Sequence, residues 1–145
     1  MEEKSTSASE GTLHEAEPAI VAFFDRMSYT DAQKAMFYLG KVLNSVAHAQ
    51  VKKKHDSKPV LNKLNFNGMD KRAVMRLRLD LMEKCKQYDV LNYNELNFSK
   101  FNDLYNPEKS NLTSEEAVFY LLAGYSFRTP TEAEKEPETT ENPEN

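Results

Sequence analysis

Residues 30–63 read TDAQKAMFYLGKVLNSVAHAQVKKKHDSKPVLNK, and the rest of the chain is arranged around this stretch. Placed at about 100° per residue, one side of it forms an apolar stripe typical of a core-facing helix. The stripe consists of Ala32, Ala35, Met36, Leu39, Val42, Leu43, Val46 and Ala47. Thr30 and Gln33 match a capping box, so we predict a long helix that starts after Thr30 and ends near Lys54.

The opposite side of this helix carries positive charge. We define the basic ridge as Lys34, Lys41, His48, Lys52, Lys53, Lys54, Lys58 and Lys63. Its first four members and His55 project within about 60° of one another on the helix, and the row from Lys34 to His55 is about 30 Å long. A straight row of cations above an apolar underside suits a long polyanion, although an ordinary solvated lysine face has the same pattern. Phe37 lies in the same sector, either as a platform for base stacking or packed against a neighbouring helix.

Four further helices complete the predicted fold. They are a short helix over 18–27 opened by Pro18, a helix from Asp70 to about Tyr88, one over 92–105, and one from Glu115 to about Phe127. A second capping box, Thr113 with Glu116, begins the last of them. No alternation typical of strands persists. The sequence therefore predicts an all-α protein, a compact helical bundle of about five helices with disordered acidic tails.

The charge is distributed unevenly along the 145 residues. The net charge is −4, yet residues 28–128 hold sixteen Lys and Arg against eleven Asp and Glu. We predict a disordered acidic N-terminal segment over 1–16, a helical bundle domain over 17–128 and a disordered acidic tail over 129–145. A basic domain between acidic ends indicates a nucleic-acid or membrane-surface partner.

The first turns of the predicted third helix are crowded with cations: Lys71, Arg72, Arg76 and Arg78. Positive charge is unfavourable at the N-terminal end of a helix, so the cluster favours a functional role. We therefore add Arg72, Arg76 and Arg78 to the candidate nucleic-acid-binding residues. Arg78 lies at the edge of the apolar stripe, where it must be paired or face a ligand. A salt bridge with Asp80 or Glu83 would account for its position without a ligand.

Catalytic and metal chemistry find little support in the sequence. Cys85 is the single cysteine and lies on the core stripe of its helix, away from a histidine base. His48 and His55 are about 10 Å apart along the helix axis, too far to share one metal ion. No phosphate-binding glycine loop occurs, and no apolar run is long enough to span a bilayer. We expect no catalytic residue, no metal and no cofactor.

Three segments carry a resemblance to a known family: residues 37–50, residues 58–70 with KPVLNKLNFNGMD, and residues 116–127 with EAVFYLLAGYSF. They resemble the C-terminal domain of the large subunit of type I-B CRISPR Cascade complexes. That region is also made separately as the small subunit, and a chain with its own Met1 and an acidic tail resembles the separate product. The resemblance covers roughly residues 18–128.

The resemblance implies a non-enzymatic small subunit of a prokaryotic cytoplasmic complex. Its implied partners are the Cascade large and backbone subunits, further copies of itself, and the R-loop of guide RNA and target DNA. We expect no membrane partner, because a ridge opposite the core stripe leaves no apolar face free to insert, and no small-molecule substrate. The basic ridge would bind single-stranded DNA without sequence preference and stabilise the target-bound complex. The alternative is a purely structural subunit whose lysines contact only proteins.

Overall fold

A computed structural model describes residues 8–53 and 68–128, and within those ranges it contains five α-helices and no strand. The helices are α1 Ala8–Met27, α2 Asp31–Lys53, α3 Lys71–Gln87, α4 Glu95–Leu104 and α5 Ser114–Ser126. A short 3-10 helix, Asn92–Asn94, leads directly into α4. The predicted all-α helical bundle is confirmed.

The chain divides into two compact units, Met1–Met27 with Phe127–Asn145, and Ser28–Ser126. In the first unit, the prediction that a helix opens at Pro18 is wrong, because α1 begins at Ala8 and contains Pro18 in its interior. Proline removes one backbone hydrogen bond there, but the alanines and glutamates before it are good helix formers. Of the predicted disordered acidic segments over 1–16 and 129–145, residues 1–7 and 129–145 lie outside the described residues, whereas residues 8–16 belong to α1. The domain boundaries stay predictions.

Helix α2 is the centre of the second unit and packs against α3, α4 and α5. The predicted apolar stripe is confirmed, with six of its members buried and its end residues Ala32 and Ala47 half-buried. Phe37 and Tyr38 are also buried, so the middle of α2 is covered on more sides than its apolar stripe. A helix enclosed in this way fixes the position of every element around it.

The contact between α2 and α5 depends on two glycines. A Cβ atom at Gly40 would overlap the carbonyl oxygen of Leu121 and lie 2.8 Å from the backbone nitrogen of Tyr125. A Cβ atom at Gly124 would likewise overlap the carbonyl oxygen of Phe37. The predicted close helix approach at Gly40 is confirmed, and only residues without a side chain permit this backbone separation.

Side-chain caps begin α2, α3 and α5 where the sequence predicts them. The Gln33 side chain accepts from the Thr30 backbone N–H at 2.9 Å, and Thr30 Oγ1 accepts from the Gln33 N–H at 3.3 Å. The second capping box, Thr113 with Glu116, has the same reciprocal bonds at 2.9 and 3.0 Å. Asp70 caps α3 by accepting from the Ala73 N–H. These bonds satisfy backbone donors that have no partner inside a helix.

Asparagines join α2, α3 and α4 through a buried polar cluster. The Asn94 amide donates to Ser45 Oγ at 3.0 Å and to the Val90 carbonyl at 2.9 Å, with Cys85 Sγ at 3.6 Å. The Asn97 amide donates in turn to Asn94 Oδ1 at 3.1 Å. Buried polar groups are costly unless they are paired, so this cluster specifies how the three helices meet.

Substitution of Gly40 by alanine tests the α2–α5 contact. The added methyl group meets backbone atoms that cannot rotate away, so we expect Gly40→Ala to lower the free energy of unfolding by about 2 kcal/mol. This loss exceeds the gain of about 1 kcal/mol that alanine brings in an open helix. Ser99→Ala, at an exposed position of α4, is the control and should change stability by less than about 0.5 kcal/mol in urea unfolding. An unchanged Gly40→Ala midpoint would contradict the contact.

Candidate nucleic-acid interface

The structure describes only part of the basic ridge. Lys34 and Lys41 are half-buried and engaged in interactions of their own, whereas His48 and Lys52 are exposed. Lys53 is the last residue of α2. Three further members lie outside the described residues: Lys54, Lys58 and Lys63. Neighbouring elements therefore cover the first half of the ridge in part, and nucleic-acid binding by the ridge stays a prediction.

Phe37 is not a stacking platform. Its side chain is fully buried, and its ring makes an edge contact with Tyr29 at 6.1 Å between centroids. Its backbone lies against Gly124 in α5. The alternative prediction, packing against a neighbouring helix, is confirmed, since α5 occupies the sector that helical projection assigned to solvent.

The first two turns of α3 provide an exposed basic surface. Lys71, Arg72 and Arg76 are exposed, and Arg72 and Arg76 are one turn apart on the same side of the helix. Among the residues whose side chains the structure describes, 17–52 and 68–128, neither arginine forms an ion pair. Asp70, two residues before Arg72, caps the helix start, and Asp80 lies one turn after Arg76. The cations are therefore available to an anionic ligand, and fixed cations of this kind bind phosphates.

Arg78 has a different environment from the other two arginines. Its Nε donates to Asn102 Oδ1 at 2.9 Å, and its guanidinium carbon lies 6.0 Å from the centroid of the Phe98 ring. The expected salt bridge with Asp80 or Glu83 is therefore replaced by an amide and an aromatic ring of α4. Arg78 joins α3 to α4, which accounts for an arginine at the edge of the apolar stripe.

Removal of the Arg78 side chain tests this assignment. We expect Arg78→Ala to lower the free energy of unfolding by about 1–2 kcal/mol, because the hydrogen bond and the cation–π interaction are both removed. Arg76→Ala removes the same charge from an exposed position and should change stability by less than about 0.5 kcal/mol. Urea unfolding of both variants makes the comparison. Equal stabilities would show that Arg78 does not hold α3 to α4.

Cys85, the only cysteine, is buried in the core. Burial raises the pKa of its thiol to about 11, and the Asn94 amide opposes that rise by hydrogen bonding to the sulfur. Burial also raises the pKa values of the Tyr29 and Tyr105 hydroxyl groups. The predicted burial of Cys85 is confirmed. A thiol that stays protonated is a poor nucleophile.

The raised thiol pKa gives stability a defined pH dependence. Below about pH 9 the thiol is protonated in both the folded and the unfolded chain, so it causes no slope. Between about pH 9 and 11 only the unfolded thiol ionises, and the free energy of unfolding falls as pH rises. Cys85→Ala removes the thiol contribution. Its free energy of unfolding, measured in urea, should therefore fall less steeply with pH between about pH 9 and 11, and the buried tyrosines account for the fall that remains. Equal slopes would contradict a protonated Cys85.

The described part of the chain contains no cluster of metal ligands. No three His, Cys, Asp or Glu side chains in it lie close enough to hold a metal ion. His55, whose pairing with His48 was considered, lies outside that part. Among the described helices, none has the length and apolarity needed to cross a bilayer.

Sequence reasoning missed two features of this region. The buried pairing of Asn94 and Asn97 was not predicted, although asparagines three apart in a helical segment indicate amides that can bond to each other. An acidic face of α4 was missed too. Glu95, Ser99 and Asp103 recur at every fourth position, which places them on one side of the helix.

Comparison with known proteins identifies one family. The family described as CRISPR-associated protein TM1802 (cas_TM1802) C-terminal domain matches residues 1–139. No curated protein matches the chain. No solved structure matches it either. The matched range contains all five described helices, so the similarity extends over the whole fold rather than a single motif.

Proposed function

The chain belongs to the family of the CRISPR-associated protein TM1802 C-terminal domain, and from that membership we propose that it is a non-enzymatic small subunit of an RNA-guided surveillance complex. Membership confirms the CRISPR association implied by the sequence resemblance and is consistent with a Cascade-type component. In the proposed role the chain works in the prokaryotic cytoplasm, beside the large and backbone subunits and further copies of itself. It binds single-stranded DNA of the R-loop without sequence preference.

The observation that carries this proposal is the exposed basic surface at the start of α3. Arg72 and Arg76 project from one side of the helix with no ion pair among the described residues. Cations near a helix N-terminus oppose the helix dipole, so their presence there calls for a ligand that offsets the cost. A phosphate backbone is such a ligand, because it offers repeated negative charges and releases counterions on binding.

Binding of this kind depends on charge rather than on base stacking. Helix α3 contains no aromatic residue, and Phe37 of α2 is buried. The exposed ridge residues His48 and Lys52 add charge near the end of α2. Lys34 and Lys41 contribute less in this proposal, because their half-buried side chains already interact within the protein. The strand would be held through its phosphates, with little preference among bases.

The proposed mechanism is a shift in the equilibrium of R-loop opening. Exchange of a DNA duplex for a guide–target duplex is nearly balanced in free energy. A few cations bound to the phosphates of a single strand are therefore enough to shift the equilibrium toward the open R-loop. The subunit performs no chemistry on DNA in this mechanism, and its contribution is electrostatic.

Charge reversal on α3 tests strand binding. We expect Arg72→Glu with Arg76→Glu to reduce affinity for single-stranded DNA at least tenfold at low salt. The slope of log affinity against log salt should become shallower by about 0.7 for each phosphate that the protein no longer neutralises. The measurement is a salt-titrated binding assay with the full chain and a mixed-sequence oligonucleotide.

The matched control is Lys86→Glu with Lys109→Glu, which makes the same change in net charge at exposed positions outside the first two turns of α3. This control should keep most of the affinity and the slope. Circular dichroism of both double variants verifies folding. If the α3 variant retains affinity and slope while complexes still assemble, the chain is a purely structural subunit and the proposed strand binding is wrong.

A further inference from the structure

An open groove of about 400 Å³ lies beside α4, on the side where the second half of α3 packs. Met82 from α3 and Leu91 from the connection form one wall, and α4 forms the other. The α4 residues that line it are Glu95, Phe98, Ser99, Asn102 and Asp103. The groove is separate from the basic surface at the start of α3, and no role in strand binding uses it.

The groove has an apolar lining and acidic residues at its exposed rim. Met82 and Leu91 are half-buried, and Phe98 is almost fully buried. An unbranched methionine adapts to different partners, which suits it to a docking surface. Glu95 and Asp103 are exposed at the rim, eight residues apart on α4, which corresponds to about 12 Å along the helix.

The two rim carboxylates are available for pairing. Neither forms an ion pair within the part of the chain that the structure describes. The nearby Arg78 donates to Asn102 and lies over the Phe98 ring, so its guanidinium is already engaged by an amide and an aromatic ring. Carboxylates at this spacing repel a phosphate backbone and favour a segment with two cations around an apolar side chain.

We propose that this groove docks a segment of a neighbouring protein in which two Lys or Arg side chains about 12 Å apart flank an apolar anchor. The assignment to another protein rests on the proposed function. In that function Arg72 and Arg76 bind a nucleic acid, so they are not available to enter the groove of a second copy. The anchor would contact Met82 and Leu91, and the cations would pair with Glu95 and Asp103.

A synthetic helical peptide tests the groove directly. The probe carries a leucine between two lysines that are eight positions apart, and a second peptide has glutamates in place of the lysines. Titration into the isotopically labelled full chain should shift the amide resonances of Leu91, Glu95, Ser99 and Asp103 with the lysine peptide only. Glu95→Gln with Asp103→Asn should raise the dissociation constant about fivefold or more, since two charge pairs are removed.

Asp80→Asn with Glu108→Gln is the matched control, because it removes two exposed carboxylates that do not line the groove. The control should bind the lysine peptide like the unmodified chain. Equal weakening in both double variants would mean non-specific attraction between a basic peptide and an acidic chain, and would overturn the proposal. The absence of groove shifts at millimolar peptide would overturn it as well.

Two other occupants are distinguished by the same approach. If the chain alone dimerises in sedimentation equilibrium and Glu95→Gln with Asp103→Asn dissociates the dimer, the occupant is a second copy and the proposal is wrong. If Lys58→Gln with Lys63→Gln shifts the groove resonances of the free chain, the occupant is the chain's own connection and the proposal is likewise wrong. Failure of strand binding appears separately, in the Arg72→Glu with Arg76→Glu salt titration, which the groove variants should leave unchanged.

Discussion

The close approach of α2 and α5 at Gly40 and Gly124 is the constraint on which the second unit depends. Backbone atoms of one helix occupy the space that a side chain would need on the other. The Asn44 amide reinforces the contact by donating to the Tyr125 carbonyl at 3.1 Å. Because α5 lies this near, α2 loses the open side that its sequence suggests, and Phe37 becomes part of the interior.

The polar cluster around Asn94 complements this apolar contact on the other side of α2. Its two amides and one hydroxyl join α2 to the 3-10 helix and α4, and Cys85 brings in α3. Gln50 adds a bond to the Tyr88 hydroxyl at 3.2 Å. Such bonds contribute modestly when made and cost much when broken, so they select one arrangement of the helices. That arrangement positions both the basic surface of α3 and the groove beside α4.

Opposite charges are thereby separated on neighbouring helices of one small protein. Arg72 and Arg76 are exposed on α3, and Glu95 and Asp103 are exposed on α4. Arg78 does not belong to either surface, since it is used to hold the two helices together. In the proposed role the basic surface binds phosphates and the acidic groove binds a protein, and separated charges discriminate between the two ligands.

The sequence by itself determined the helices and most of their starts. Capping boxes at Thr30 and Thr113, the Asp70 cap and the apolar stripes are local patterns, set by backbone donors and helical periodicity. The start of α1 was mispredicted because Pro18 was given too much weight as a local signal.

Only the tertiary structure decided which cations face solvent. Helical projection treats each helix as having one buried side, whereas α2 is enclosed because the glycine contact brings α5 onto a second side. Arg78 was likewise ambiguous, because its partners lie on a different helix. Local pattern fixes which helices form, but solvent exposure depends on contacts between residues distant in the chain, and these arise only when the helices pack.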